Sequence, residues 1–259
     1  GYHLPLTTLT GNTRSDIVFI EPIIGVGELA ISDHRSSQPT LDEFLRVASD
    51  AHVAGLMTGK AGIVHIHMGD GERGLKLVRD ALDTTEIPAR VFNPTHINRN
   101  KSLFKEALAL SRLGCYIDIT AFPKGHSESG WSASEAFLRY QDGGFPTDKL
   151  TISSDGGGCL PHFDGEGVAT HMGVGCPSTL QETFQELTQH NVPIHQILPA
   201  LTSNAAQLLR LTNKGHLKQG FDADLIVLDA QYNITDVMAR GCWHVQHGSP
   251  KILGQYESS

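Results

Sequence analysis

The chain has 259 residues, 39% of them hydrophobic, with a formal net charge of −8. That is enough apolar material for a large core, and an acidic balance without a basic cluster argues against nucleic acid as a partner. No apolar run approaches the roughly 18–20 residues of a membrane span. The four cysteines, Cys115, Cys159, Cys176 and Cys242, are scattered without a CxxC pair, which predicts reduced thiols and a cytoplasmic location.

The chain opens on Gly1-Tyr2-His3-Leu4-Pro5, a loop without Met or signal peptide, and a preceding N-terminal portion is expected. Residues 15–31 are apolar and β-branched, and Ile23 to Ile31 reads as a buried strand with one anomaly, the carboxylate Glu28. A polar strand end follows, Ser32-Asp33-His34-Arg35. Residues 40–57 have helical periodicity, with Asp42 and Glu43 in the first turn. Next comes Gly62-Ile63-Val64-His65-Ile66-His67-Met68-Gly69-Asp70, a short buried strand ending in a Gly-Asp turn. Side chains two apart share a strand face, so His65 and His67 point the same way. His-x-His on a strand is by itself ambiguous between a metal site and buried imidazoles satisfied by carbonyls.

A helix is predicted over 72–82, then a strand over 89–94 running into Thr95-His96-Ile97-Asn98-Arg99, and a helix over 103–113 closed by Gly114. Residues 115–120 alternate as a strand, 133–142 are helical, and 149–155 form a strand that meets Gly156-Gly157-Gly158. Helices are predicted over 179–190 and 193–211. Five strands, each followed by a helix, argue for α/β architecture with a parallel sheet. Short strands with polar C-terminal ends fit a (β/α)8 TIM-type barrel lacking its first strands. An open doubly wound sheet is the alternative, weakened by the absence of GxGxxG after the first strand. After about Thr212 helices stop and short strands take over, so the expected division is a hydrolase barrel over 1–213 and part of a small β-sandwich domain over 214–259.

Glu28, His67, His96 and Asp155 each lie close to a strand's C-terminal turn, and on a barrel all four converge on one mouth. Two imidazoles and two carboxylates suit Zn²⁺ or a similar borderline ion. Singly, each has a plain structural explanation: Glu28 could pair with Arg35, and Asp155 could cap the glycine turn.

The segments Gly1 to Pro5, Ala30-Ile31-Ser32-Asp33-His34-Arg35-Ser36, His67-Met68-Gly69-Asp70, Pro94-Thr95-His96-Ile97-Asn98-Arg99-Asn100, Ile117-Asp118-Ile119-Thr120, Ser153-Ser154-Asp155-Gly156, Leu201-Thr202-Ser203-Asn204-Ala205-Ala206 and Gly220-Phe221-Asp222-Ala223-Asp224-Leu225 resemble the amidohydrolase superfamily. The Ser-Asp-His-Arg and Thr-His-x-Asn-Arg-Asn runs resemble the bacterial isoaspartyl dipeptidases within it. The resemblance implies a binuclear zinc metallopeptidase. His67 and His96 would hold one ion, Asp155 the other while also carrying the proton, and position 28 would supply the bridging carboxylate. A metal-bridging hydroxide would attack the β-aspartyl carbonyl, and Asp155 would pass its proton to the leaving amine. Arg35 and Arg99 would clamp substrate carboxylates, and Tyr2 would donate to the developing oxyanion. The family's first-strand His-x-His has no match, and His65 is read as a barrel-core residue below the metals.

Two positions depart from the family pattern. Glu28 stands where the family usually has a carboxylated lysine, beside an apparent one-residue insertion at Gly27. Cys159 stands where the family tends to have Ser, weakening a hydrogen bond to substrate. The expected partners are a dipeptide substrate and further copies of the chain in a homo-oligomer. The competing readings are another amidohydrolase acting on a cyclic amide, of the dihydropyrimidinase or dihydroorotase kind, and a catalytically inactive fragment.

Overall fold

The computed structural model describes residues 2–123, 129–163 and 169–254; Gly1 of the opening motif lies outside them. Five parallel strands, β1 (Val26–Ile31), β2 (Val64–Met68), β3 (Phe92–Thr95), β4 (Ile117–Thr120) and β5 (Leu150–Ser153), follow one another in chain order. β1, β2 and β3 form one ladder in that order, and β4 and β5 form another. The ladders meet through Ile97 N–H, which donates to the Asp118 carbonyl at 3.3 Å, and Thr95 Oγ1, which donates to Asp118 Oδ2 at 2.7 Å.

Helices α1 (Thr13–Phe19), α2 (Leu41–Thr58), α3 (Lys76–Thr84), α4 (Lys101–Arg112) and α5 (Ala133–Asp142) precede β1 or connect the strands. Their starts are legible chemistry. Thr40 with Glu43 and Ser132 with Glu135 close capping boxes on α2 and α5, and Asn100 accepts from Leu103 N–H at the start of α4. The core is the apolar layer between the strands and these helices, with Leu29, Ile66, Phe92, Ile117 and Phe44 fully buried.

Several expectations need correction. The expected strand over Ile23 to Ile31 starts only at Val26, and the β-branched Ile17-Val18 before it, given no element from the sequence, lies in a helix, where the Asn12 side chain accepts Ser15 N–H at 2.8 Å and caps α1. The third helix begins at Lys76 rather than 72, after a turn in which Gly74 has φ +49°. β5 is followed by an antiparallel hairpin, β6 (Cys159–Phe163) and β7 (Ala169–Val174), before α6 (Ser178–Gln189). The single helix expected over 193–211 is two, α7 (Ile194–Leu201) and α8 (Ser203–Leu208). The break falls at Thr202, φ −136° and ψ −85°, where Asn204 Nδ2 turns to donate to the carbonyls of Thr147 and Leu150 at 2.7 and 2.8 Å.

The last strands, β8 (Leu225–Leu228), β9 (Ile234–Ala239), β10 (Cys242–Gln246) and β11 (Ser249–Pro250), form an antiparallel sheet in the order β11-β10-β9-β8. It meets the helices where Gln185 Nε2 donates to the Gln231 carbonyl at 3.2 Å and Phe184 lies edge-on to Tyr232.

β1 carries one irregularity that matters for the site. Val26 pairs with Val64 and Leu29 with Ile66, so three steps on β1 oppose two on β2, a one-residue bulge. The bulge contains Gly27 and Glu28. A Cβ on Gly27 would lie 2.8 Å from the Cβ of His65, so only glycine allows this approach.

Candidate metal centre and substrate clamp

Three consecutive strands bring Glu28, His67 and His96 together. One ligand-type atom from each lies within 4.8 Å of the others. His67 sits near the end of β2 and Glu28 in the β1 bulge. His96 follows β3 directly with φ +61°, a left-handed conformation rare outside glycine. Such backbone at a strand end marks a site where the surrounding structure over-determines the conformation. Ser32 (φ +50°) and Asp155 (φ +50°) repeat the feature after β1 and β5.

Glu28 Oε2 is 3.1 Å from His67 Nδ1, and Oε1 is 3.6 Å from His96 Nε2. Partial burial opposes ionisation of Glu28, but hydrogen bonding to His67 and the charge of that imidazole hold it well below the usual carboxylate range. His67 is buried, which disfavours its cation, yet the carboxylates of Asp33 and Glu28 on its two nitrogens raise its pKa. Both of its ring nitrogens thus face carboxylate oxygens, each at 3.1 Å.

His96 behaves oppositely. It is 1% exposed, and burial lowers its pKa, so it is neutral near pH 7. Its Nδ1 is 2.7 Å from Thr120 Oγ1, while Nε2 is buried without a hydrogen-bond partner among the described residues. A buried polar nitrogen left unmatched is costly. Two imidazoles and an anionic carboxylate around that nitrogen fit a divalent ion, which would take the place of the His67 Nδ1 proton and satisfy His96 Nε2. Asp155 is not part of this close triad. Burial, offset by His96 and assisted by the Glu28 charge, raises its pKa, so it lies within electrostatic reach of all three.

His65 shares the His67 face, as the two-residue spacing requires. Its Nδ1 pairs with Asn93 Oδ1 at 2.7 Å, and its Nε2 is 3.9 Å from Glu28 Oε1. Its side chain is 32% exposed, more open than a core residue, and it stays outside the triad.

Asp33 is the site residue that the sequence did not single out. Its side chain is 2% exposed. Oδ1 accepts Arg35 N–H at 2.7 Å and Nε at 3.1 Å, and Oδ2 accepts Arg35 Nη2 at 2.8 Å, His67 Nε2 at 3.1 Å and Tyr2 O–H at 3.2 Å. Burial would raise the Asp33 pKa, but these bonds push it far down. Tyr2 is half-buried beside the same carboxylate, and burial together with the Asp33 charge keeps its phenol protonated. The only sequence signal for Asp33 was its place in the polar strand end before Arg35.

Arg99, four residues beyond β3, has Nη1 3.7 Å from Asp70 Oδ2 and its guanidinium 5.6 Å from the Phe122 ring. That ring is also 5.8 Å from the His96 ring. Cys159 is exposed at the start of β6, four residues past Asp155. Lys60, the lysine nearest to β1 in the downstream chain, is committed elsewhere: its Nζ donates to the carbonyls of Ile17, Ile20 and Ile23 at 2.5–3.1 Å.

Residues 41–244 match the model of the amidohydrolase family. The structure superposes on β-aspartyl dipeptidase from Fervidobacterium islandicum AW-1 in complex with β-Asp-Leu dipeptide, with a TM-score of 0.91 and 39% identity over 98% of this chain. The chain spans 65% of the length of that protein. N-acetylglucosamine-6-phosphate deacetylase from Lysinibacillus sphaericus is 32% identical over 95 residues, 36% of this chain and 24% of that protein. D-Hydantoinase from Thermus sp. has a TM-score of 0.56 at 16% identity, covering 88% of this chain and 65% of that one, a likeness of fold alone. The chain belongs to the amidohydrolase family.

Proposed function

We propose that this amidohydrolase hydrolyses the β-aspartyl (isoaspartyl) peptide bond of dipeptides, using divalent metal held by Glu28 from the bulge in the first half of β1, and not from that strand's C-terminal turn as its sequence suggests, together with residues at the C-terminal ends of the following strands. The observation that carries the reading is the packing of two imidazoles and an anionic carboxylate around the unmatched His96 Nε2, with Arg35 and Tyr2 joined to His67 through Asp33. The likeness to a β-aspartyl dipeptidase over 98% of the chain supplies the substrate class. In this reading the strands 26–153 are part of a (β/α)8 barrel over 1–213, and 214–259 belongs to a small β domain. The protein works in the cytoplasm as a homo-oligomer.

Glu28, His67 and His96 would hold one zinc ion. A second ion would draw on the Glu28 carboxylate and on Asp155. A divalent ion bound here supplies Lewis acidity and lowers the pKa of a coordinated water. The chain's own groups do the rest. Arg35 and Arg99 fix the two carboxylates of an isoaspartyl dipeptide, since a planar guanidinium matches a carboxylate fork. Tyr2, protonated at neutral pH, would turn its single O–H from Asp33 to the carbonyl oxygen as charge builds on it. Asp155 takes up a proton and returns it to the leaving amine, a task that its raised pKa suits. Cys159 would contribute a weak hydrogen bond to the substrate.

Glu28 enters the site already anionic, with two oxygens, so no CO₂ has to be captured, and the β1 bulge brings the backbone of this short side chain forward. Lys60 cannot substitute, because it is bound to three carbonyls. The test uses full-length protein stripped of metal and reloaded with Zn²⁺, with and without bicarbonate, against a panel of isoaspartyl dipeptides and cyclic amides. Activity on isoAsp-Leu that needs zinc and not bicarbonate is the expected result. Turnover of the cyclic amides alone would transfer the assignment to that class. A strict bicarbonate requirement would refute the Glu28 bridge.

A further inference from the structure

We infer that Asp33 is the positioning residue that ties the metal ligand His67 to the substrate clamp Arg35, so that metal affinity and substrate affinity depend on one carboxylate. Its substrate half rests on the dipeptidase reading; its metal half does not.

Asp33 has four lone pairs and receives five donors from Arg35, His67 and Tyr2. With its side chain 2% exposed and its oxygens saturated, it has no capacity left to ligate an ion or bind substrate itself. What it can do is orient. The bond from His67 Nε2 fixes the proton on that nitrogen and leaves Nδ1, the atom facing Glu28 Oε2, as the donor to metal. The pairing with Arg35 is side-on, through Nε and Nη2, which locks the guanidinium plane and leaves the Nη1 hydrogens for a second carboxylate. The two residues share Oδ2, so a shift of one moves the other.

The sequence makes room for this arrangement. A Cβ on Gly69 would lie 2.5 Å from both the Cβ and Oδ2 of Asp33, so the glycine after Met68 is what admits the carboxylate. A glycine two residues past His67 is therefore a packing requirement of Asp33 and more than a turn signal.

The experiment replaces Asp33→Asn in full-length protein, with Gly69→Ala as a second variant that displaces the carboxylate while keeping its charge. Zinc affinity is measured by chelator competition, the His67 tautomer by ¹⁵N NMR of the zinc-loaded protein, and KM and kcat with isoAsp-Leu. The expected result in both variants is zinc binding weakened about 10–100-fold, loss of the fixed Nε2–H signal of His67, and a KM raised by about tenfold or more with a smaller change in kcat per zinc-loaded site. Folded variants that keep zinc affinity, the Nε2–H tautomer and KM within about twofold of the parent would overturn the inference. Weaker zinc with unchanged KM would overturn the link to the clamp. If the parent protein does not cleave isoAsp-Leu, the dipeptidase reading fails, while zinc competition and NMR still decide the role of Asp33.

Discussion

Replacing Thr120 with Val removes one hydroxyl and tests how His96 is held. Thr120 is 0% exposed, and its Oγ1 lies 2.7 Å from His96 Nδ1. The imidazole is neutral because burial depresses its pKa, so it carries one proton. On Nδ1 that proton meets Thr120; on Nε2 it would face Glu28 Oε1 at 3.6 Å, with no hydrogen-bond partner among the described residues. Thr120→Val leaves a buried N–H without its acceptor, at a cost of about 1–3 kcal/mol. Losing such a partner of a metal-bound imidazole typically weakens metal binding about 10–100-fold, which converts to about 1.4–2.7 kcal/mol. The two routes agree in size. The assay is urea unfolding of the metal-free protein together with chelator competition for Zn²⁺. Thr120→Ser, which keeps the hydroxyl, should retain near-parental zinc affinity. If Thr120→Val bound zinc within twofold of the parent and unfolded within about 0.5 kcal/mol of it, the reasoning that Thr120 fixes the His96 tautomer would be refuted.

Arg99→Lys keeps the charge but loses the planar fork; turnover of isoAsp-Leu should fall sharply while the melting temperature moves little, and unchanged KM and kcat would remove Arg99 from the clamp. Lys60→Met strips three carbonyls at the end of α1 of their donor and should destabilise by about 1–3 kcal/mol in chemical unfolding. Because Lys60 precedes β2 and lies at the opposite end from the triad, kcat/KM should stay at the parental level. Among the depressed carboxylates, Glu28 and Asp33 are held below the ordinary range near about 4 by their bonds to His67 and Arg35. Their stabilisation is present above that range and is lost as pH falls through their folded values. Asp33→Asn, which loses one of these groups, should therefore show a shallower fall of metal-free stability between about pH 4 and 2 by thermal melts, and an unchanged slope would argue against the charge network around His67.

Much of the parallel-strand order and half of the site could be read from residue patterns. His65 and His67 declare their common face by a spacing of two, and Glu28 stands out as the one carboxylate in an apolar strand. Gly27 beside it foretold the bulge. Asp33 could not be found that way, because its role comes from a turn that brings it under Gly69 and against Tyr2, contacts 31 to 36 positions apart in the chain. The β6–β7 hairpin was hidden for a related reason. Cys159-Leu160-Pro161-His162-Phe163 has no apolar alternation to announce a strand, and the pairing that makes it one is tertiary. α1 was masked by Ile17-Val18, whose β-branched character was overridden by the cap at Asn12.

Glu28, His67 and His96 are drawn one each from three successive strand-and-helix units. An ion bound among them would stabilise only the state in which all three units are docked. Zinc should slow amide hydrogen exchange in β1, β2 and β3 together, by the same factor, since only the closed state of all three binds it. The sheet from Leu225 to Pro250 supplies none of these three ligands, and its amides should exchange at a pace indifferent to the ion.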